Sequence, residues 1–188
     1  RMNLVDKLWE RNSGESSEKI FHLSNEISGE SVSSKLNKIL AILKVNDIKN
    51  YIFCKPDAIC WLLNIRGKDV AHNPVVNCFS ILRDSGEIII FSENLHKFSE
   101  LKNKPLYRKI HFKKFSELRN FILNSKGSTG FDQNYLPWKI YQYLESSNKK
   151  IIQMSDPANT LKSIKNNTEV TGMISAHLRD AVAFIKFM

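Results

Sequence analysis

The sequence predicts an α/β domain, a mixed β-sheet flanked by helices, and three observations carry that expectation. Short runs rich in β-branched and aromatic residues alternate with segments whose apolar residues recur every three or four positions, as when strands cross over through helices. Two of the β-type runs, Val75 to Leu82 and Glu87 to Phe91, are joined by Arg83-Asp84-Ser85-Gly86, whose Asp and Gly supply hairpin turn chemistry. A hairpin pairs strands antiparallel whereas helical crossovers pair them parallel, so the sheet must be mixed.

In chain order, Asn3 to Trp9 reads as a short amphipathic turn. Arg11 to Glu30 is polar, rich in Ser, Glu and Gly, and reads as a linker held to a surface by Ile20, Phe21, Leu23 and Ile27. Ser31 is a fitting N-cap for a helix whose Val32, Leu36, Ile39, Leu40 and Leu43 paint one face. Tyr51 to Cys54 is a strand, and Pro56-Asp57 starts a helix through Leu63, because proline suits a first helical turn. After the hairpin come a helix near Asn94 to Leu101, a strand near Lys109 to Phe112, and a helix with Phe115, Leu118 and Ile122 on one face. Gly130-Phe131-Asp132 is a very short strand, Pro137 to Leu144 a helix and Lys150 to Gln153 a last strand.

From Asp156-Pro157 to Asn167 the pattern breaks. Asn166 with Glu169 three residues later has capping-box spacing. Val170, Met173, His177, Ala181, Phe184 and Met188 then recur at helical spacing to the last position with no Gly or Pro stop, which reads as a helix cut in its middle, from about Thr168 to Met188. So wide an apolar stripe needs a partner surface. Met173, His177 and Phe184 are expected either to pack back on the domain or to meet a neighbouring chain.

At 188 residues with 42% apolar content, the chain has material for one ordinary core. No apolar run is long enough to span a membrane, and the start, Arg1-Met2-Asn3, has no export-signal character and suggests a start upstream. The net charge of +9 invites a nucleic-acid reading. The basic residues are scattered in short doublets such as Lys113-Lys114 and Lys149-Lys150, without interleaved aromatics, so no specific nucleic-acid partner is expected. Cys54, Cys60 and Cys78 lack metal or disulfide spacing and read as reduced core thiols of a cytoplasmic protein. His22, His72, His96, His111 and His177 each stand alone; His177 with Asp180 is the nearest to a ligand pair, and two donors make no site. Nucleophile elbows, phosphate loops and dinucleotide fingerprints are absent.

The most informative segment runs from Asp57 to Pro74. Gly67 is expected in the left-handed conformation just past a helix end, and Asn73-Pro74 forces extended backbone into the next strand. Between them Arg66, Asp69, His72 and Asn73 crowd one tight loop. Spacing alone favours a self-satisfied turn, with Asp69 accepting backbone N–H groups and pairing with Arg66. The sharper reading is a polar rim facing a neighbouring site.

At this loop, Asp57-x-Ile59-x-Trp61-Leu62-x-Asn64-x-Arg66-Gly67-x-Asp69-Val70-x-x-Asn73-Pro74, the chain resembles the Xaa-Pro aminopeptidases of the long, three-domain type. Asn3-Leu4-Val5-Asp6-Lys7-Leu8-Trp9 is similar to that family's passage from first to second domain. Leu161-Lys162-x-Ile164-Lys165-Asn166-x-Thr168-Glu169, Gly172-Met173 and Ala176-His177-x-Arg179-Asp180-Ala181-Val182 are similar to its entry into the catalytic domain. The resemblance implies a creatinase/prolidase N-terminal domain, a ribonuclease H-like fold, over residues 31–156. Residues 1–30 would be a linker from an upstream domain, and 157–188 a linker plus the first helix of a pita-bread catalytic domain.

It further implies a parent metallopeptidase that removes the N-terminal residue from peptides with proline second. Two divalent metal ions, manganese above all, would serve it on Asp, His and Glu ligands beyond Met188. This part would hold no metal, no catalytic residue and no activity of its own, and would shape the substrate cleft or the subunit interface. Its partners would be the absent catalytic domain, peptide substrate and a second copy in a homo-oligomer. Arg66, Asp69, His72 and Asn73 are the candidate cleft or domain-interface loop. A free-standing interaction or dimerisation module without catalysis is the alternative reading.

Overall fold

The computed structural model describes residues 19–188; the expected turn at Asn3 to Trp9 and the first part of the linker lie outside the described residues. Six strands form the main sheet: β2 (Asn50–Phe53), β4 (Phe79–Arg83), β5 (Ile88–Phe91), β6 (Ile110–Lys113), β7 (Thr129–Phe131) and β8 (Ile151–Gln153), in the order β6-β5-β4-β2-β7-β8. β4 runs antiparallel to both neighbours, while β2, β7 and β8 are mutually parallel, as are β5 and β6. The mixed α/β sheet expected from the sequence is the architecture found.

Alternate side chains of each strand serve different layers, which is why β2 and β5 are buried at every position. Tyr51, Phe53, Leu82, Ile88 and Ile90 face a core shared with α2 (Val32–Val45) and α3 (Pro56–Leu62). Ile52, Ile81, Ile89, Phe91 and Phe131 face a second core under α5 (Leu118–Asn124) and α6 (Trp138–Glu145). Ser31 caps α2 by accepting from the Ser34 N–H at 3.2 Å, as its position predicts. The hairpin turn closes with the Gly86 N–H donating to the Arg83 carbonyl.

Several expectations change. Residues 19–30, read as linker, contain β1 (Phe21–His22) and α1 (Asn25–Ser28). β1 pairs antiparallel with β3 (Ile65–Arg66), and Ile20 is buried in the first core. The first hairpin strand begins only at Phe79. Backbone groups of Val75, Val76 and Asn77 bond instead to Asn73, Asp69 and Cys60, so they are spent on the preceding loop and not on the ladder. The expected helix at Asn94 to Leu101 is a 3₁₀ turn, His96–Phe98, followed by the single turn α4 (Ser99–Lys102).

The break at Asp156 to Asn167 holds a further helix, α7 (Pro157–Ser163). Asp156 accepts from the Ala158 and Asn159 N–H groups as N-cap, with proline in the first turn. The last helix, α8 (Asn167–Phe187), has the capping box read from the sequence: Asn166 accepts from the Glu169 N–H and Glu169 from the Asn166 N–H. α8 buries no residue, and Met173, His177 and Phe184 do not pack back on the described domain. Its root is seated by Asn166, whose side-chain amide donates to the Ser28 carbonyl at 2.9 Å.

Candidate functional site

The loop from Arg66 to Pro74 is built outward from the end of α3. Asn64, with φ 50°, takes the left-handed turn that sequence reasoning gave to Gly67. Its side chain repays that conformation, because the amide donates to Ser28 Oγ and the Glu30 carbonyl while its oxygen accepts from Lys35 Nζ at 2.7 Å. Lys35 is 2% exposed, donates also to the Trp61 carbonyl and stands 4.3 Å from the centre of the Trp61 ring. Burial in this setting pushes its ammonium pKa down to about 8.

Gly67 serves another purpose. A β-carbon there would lie 2.8 Å from Val76 Cγ2 and 3.2 Å from the Val75 carbonyl oxygen, so the residue is small because a second strand of loop passes over it. Arg66 and Asp69 do not pair with each other. The Arg66 guanidinium donates to the Cys60 and Ile65 carbonyls, tying β3 back to α3. Asp69 accepts from the Asn77 N–H at 2.7 Å and forms an ion pair with Lys97 at 2.5 Å, their side chains 7% and 4% exposed. The Asp69 N–H in turn donates to the Val75 carbonyl.

These bonds leave a tip in which Val70 bridges Asn73 and His72 sits at φ 60°. His72 and Asn73 are exposed there, while Arg66 and the Asp69 carboxylate face inward as anchors. The four residues singled out from the sequence therefore share one loop but divide into two anchors and two presented groups. Lys97, Asn64 and Lys35 were missed. Lys97 is 28 residues from Asp69, beyond any local pattern. Lys35 did leave a signal, a cation between Val32 and Ile39 on the apolar stripe of α2.

Beside the loop, a crevice of roughly 300 Å³ is lined by Asn77, Phe79, Phe91, Glu93 and Phe115 at the carboxyl end of β5. Among the described residues no three His, Cys, Asp or Glu side chains gather closely enough to hold a metal ion. Burial pushes the Cys60 thiol up to about 11 and the Cys54 thiol up to about 12, which makes both poor nucleophiles.

The mixed sheet, its two helical layers and the loop that closes over Gly67 define a known class of domain. Residues 11–169 match the model of the Creatinase/Prolidase N-terminal domain, and the chain belongs to that family. Along 99% of its length it is 28% identical to Xaa-Pro aminopeptidase 1 of Dictyostelium discoideum, covering 30% of that protein. It is also 28% identical to the probable Xaa-Pro aminopeptidase P of Sordaria macrospora, over 98% of this chain and 32% of that one. The crystal structure of X-prolyl aminopeptidase from Caenorhabditis elegans, a cytosolic enzyme with a di-nuclear active site, matches with a TM-score of 0.86 at 25% identity, over 99% of this chain and 31% of that one. The Xaa-Pro dipeptidase of Bacillus anthracis shares the fold, with a TM-score of 0.59 at 12% identity. The chain spans about a third of the length of the aminopeptidases it matches.

Proposed function

We propose that this chain is the non-catalytic domain of a cytoplasmic metallo-aminopeptidase that removes the N-terminal residue from peptides with proline second. The observation that supports this best is collinearity: nearly every residue aligns with one third of an Xaa-Pro aminopeptidase, at a TM-score of 0.86 to such an enzyme. The di-nuclear site of that relative corresponds here to two divalent metal ions, manganese by preference, held by a part of the parent that this chain does not contain. Within the described residues no donor set fits a metal pair, so no step of hydrolysis through the ions is assigned to this chain.

The domain's role is then to shape the cleft. Arg66 and Asp69 are positioning residues that fix the loop, and His72 with Asn73 are the groups it offers to substrate or to the catalytic domain. Of the described helices none is long and apolar enough to cross a membrane. α8 would be covered by the catalytic domain, which explains apolar side chains such as Ile174, Leu178 and Ile185 in solvent.

The test is peptide hydrolysis. The full reading frame, expressed with manganese, is expected to cleave an Xaa-Pro-Xaa peptide, and residues 1–188 alone are not. In the full protein, His72→Ala and Asn73→Ala are expected to lower kcat/KM without lowering Tm. Robust turnover by residues 1–188, or a stop codon at Met188, would overturn the reading in favour of a self-contained module.

A further inference from the structure

On the face of the sheet away from the loop, α6 presents an aromatic cleft that the proposed function does not use. Trp138 is 68% exposed, an unusual state for the largest apolar side chain. One face of its indole stacks on Tyr141, with ring centroids 5.3 Å apart and planes inclined by 20°, and Tyr141 meets the edge of Phe131 on the cleft floor. Glu145 follows on the same helical face, four residues after Tyr141, and Gln133, Leu136 and Gln153 complete the lining of a cleft of roughly 360 Å³.

The charge of this cleft opposes that of the chain. In a protein of net charge +9, its ionised lining residue is a carboxylate, placed at the C-terminal end of α6 where the helix dipole adds negative potential. The lysines that flank it in sequence are engaged elsewhere. Lys139 stands over Tyr143, Lys149 donates to the carbonyls of Ile122 and Leu123, and Lys150 approaches Asp47. Among the described residues Glu145 has no ion-pair partner. Aromatic rings and a carboxylate lining one cleft suit a planar cation, because a guanidinium stacks on aromatic faces and hydrogen-bonds carboxylates.

We propose that this cleft receives an arginine side chain carried by an extended segment of a partner protein. The extended backbone follows from β8, which supplies Gln153 to the cleft and pairs with a strand, β7, on one side only. Its other edge is open to strand addition among the described residues. The tryptophan holds the guanidinium, and Glu145 selects its charge.

The probe is the blocked tripeptide acetyl-Val-Arg-Val-amide, titrated into the 188-residue chain and followed in ¹H–¹⁵N spectra, beside the same peptide with neutral citrulline in place of arginine. The expected result is saturable shifts at the Trp138 indole N–H, Glu145 and Gln153, with affinity about tenfold weaker for the citrulline peptide. Glu145→Gln is expected to lower arginine-peptide affinity by a similar factor and to leave the citrulline peptide unaffected. Trp138→Ala, at an exposed position, is expected to keep the spectrum of a folded chain and abolish both titrations. Equal affinity for the two peptides, shifts that map elsewhere, or no shifts up to the solubility limit of the peptide would each overturn the proposal.

Discussion

The Lys97 ammonium and the Asp69 carboxylate meet at 2.5 Å with almost no exposure, 28 residues apart, and together they clamp the loop onto the 3₁₀ turn that precedes α4. Removing either partner strands the other charge in the interior, so Asp69→Ala or Lys97→Met is expected to cost about 3–5 kcal/mol of unfolding free energy. The Asp69→Ala, Lys97→Met double variant removes both charges and should be less damaged than the sum of its parts by at least about 1 kcal/mol. Urea unfolding of the four proteins measures this. Strict additivity would mean that the two groups are not coupled.

Gly67→Ala tests the close approach. The added methyl would meet Val76 Cγ2 at 2.8 Å, and overpacking of this kind costs about 1–3 kcal/mol. Val76→Ala in the same chain should recover part of the loss. If conformational freedom at residue 67 were the constraint, trimming Val76 would recover nothing.

Lys35 gives the stability a pH signature. Its pKa falls from the ordinary 10.5 to about 8 in the folded chain. Below pH 8 both states hold the proton and the burial penalty is fully present. Between pH 8 and 10.5 the folded state releases it first, the unfolded state binds more protons, and stability rises by about 3 kcal/mol. Cys54 and Cys60, pushed upward, act with the opposite sign above pH 9, so the effect is read as the difference between wild type and Lys35→Met. A difference that stays flat across this window would exclude a depressed lysine.

Lys149 closes the C-terminal end of α5, donating at 2.7 and 2.8 Å to the carbonyls of Ile122 and Leu123. Those groups otherwise lack helical partners. Lys149→Ala is expected to lower stability by about 1 kcal/mol and to speed amide exchange in α5 above that in α6. Equal exchange in both helices would argue against a capping role.

The independence of α8 is testable by truncation. A chain ending at Val170 keeps the Asn166 capping box and its bond to Ser28, and loses no buried residue. Its unfolding free energy should lie within about 0.5 kcal/mol of the 188-residue chain. A chain ending at Asp156 should lose far more, because Pro157 and Ala158 are buried and Leu161 packs on the first core. Thermal melts of the three chains decide this.

What could be read from the sequence was local. The Ser31 cap, the Asn166 and Glu169 capping box, the Arg83 to Gly86 hairpin and the strand-helix alternation depend on residues within a few positions of one another, and all recur in the fold. α7 was legible too, since Asp156-Pro157 is a start signal, but its seven residues are too short to show periodicity. The loop was marked as a unit by its motif, whereas its internal bonds were not. Whether Asp69 pairs with Arg66 or Lys97, and whether Gly67 or Asn64 turns left-handed, depends on which distant strand lies overhead. No pattern in residues 57–74 records that.

Asn166, Ser28 and Asn64 are joined in series: the Asn166 amide to the Ser28 carbonyl, the Asn64 amide to the Ser28 hydroxyl, and Lys35 locking Asn64 from the far side. The root of α8 and the strand that launches the loop thus share one joint, although 101 residues lie between Asn64 and Asn166. A load applied to the long exposed helix has a short path to His72. Any body that grips α8 also sets the angle at which the loop is held out.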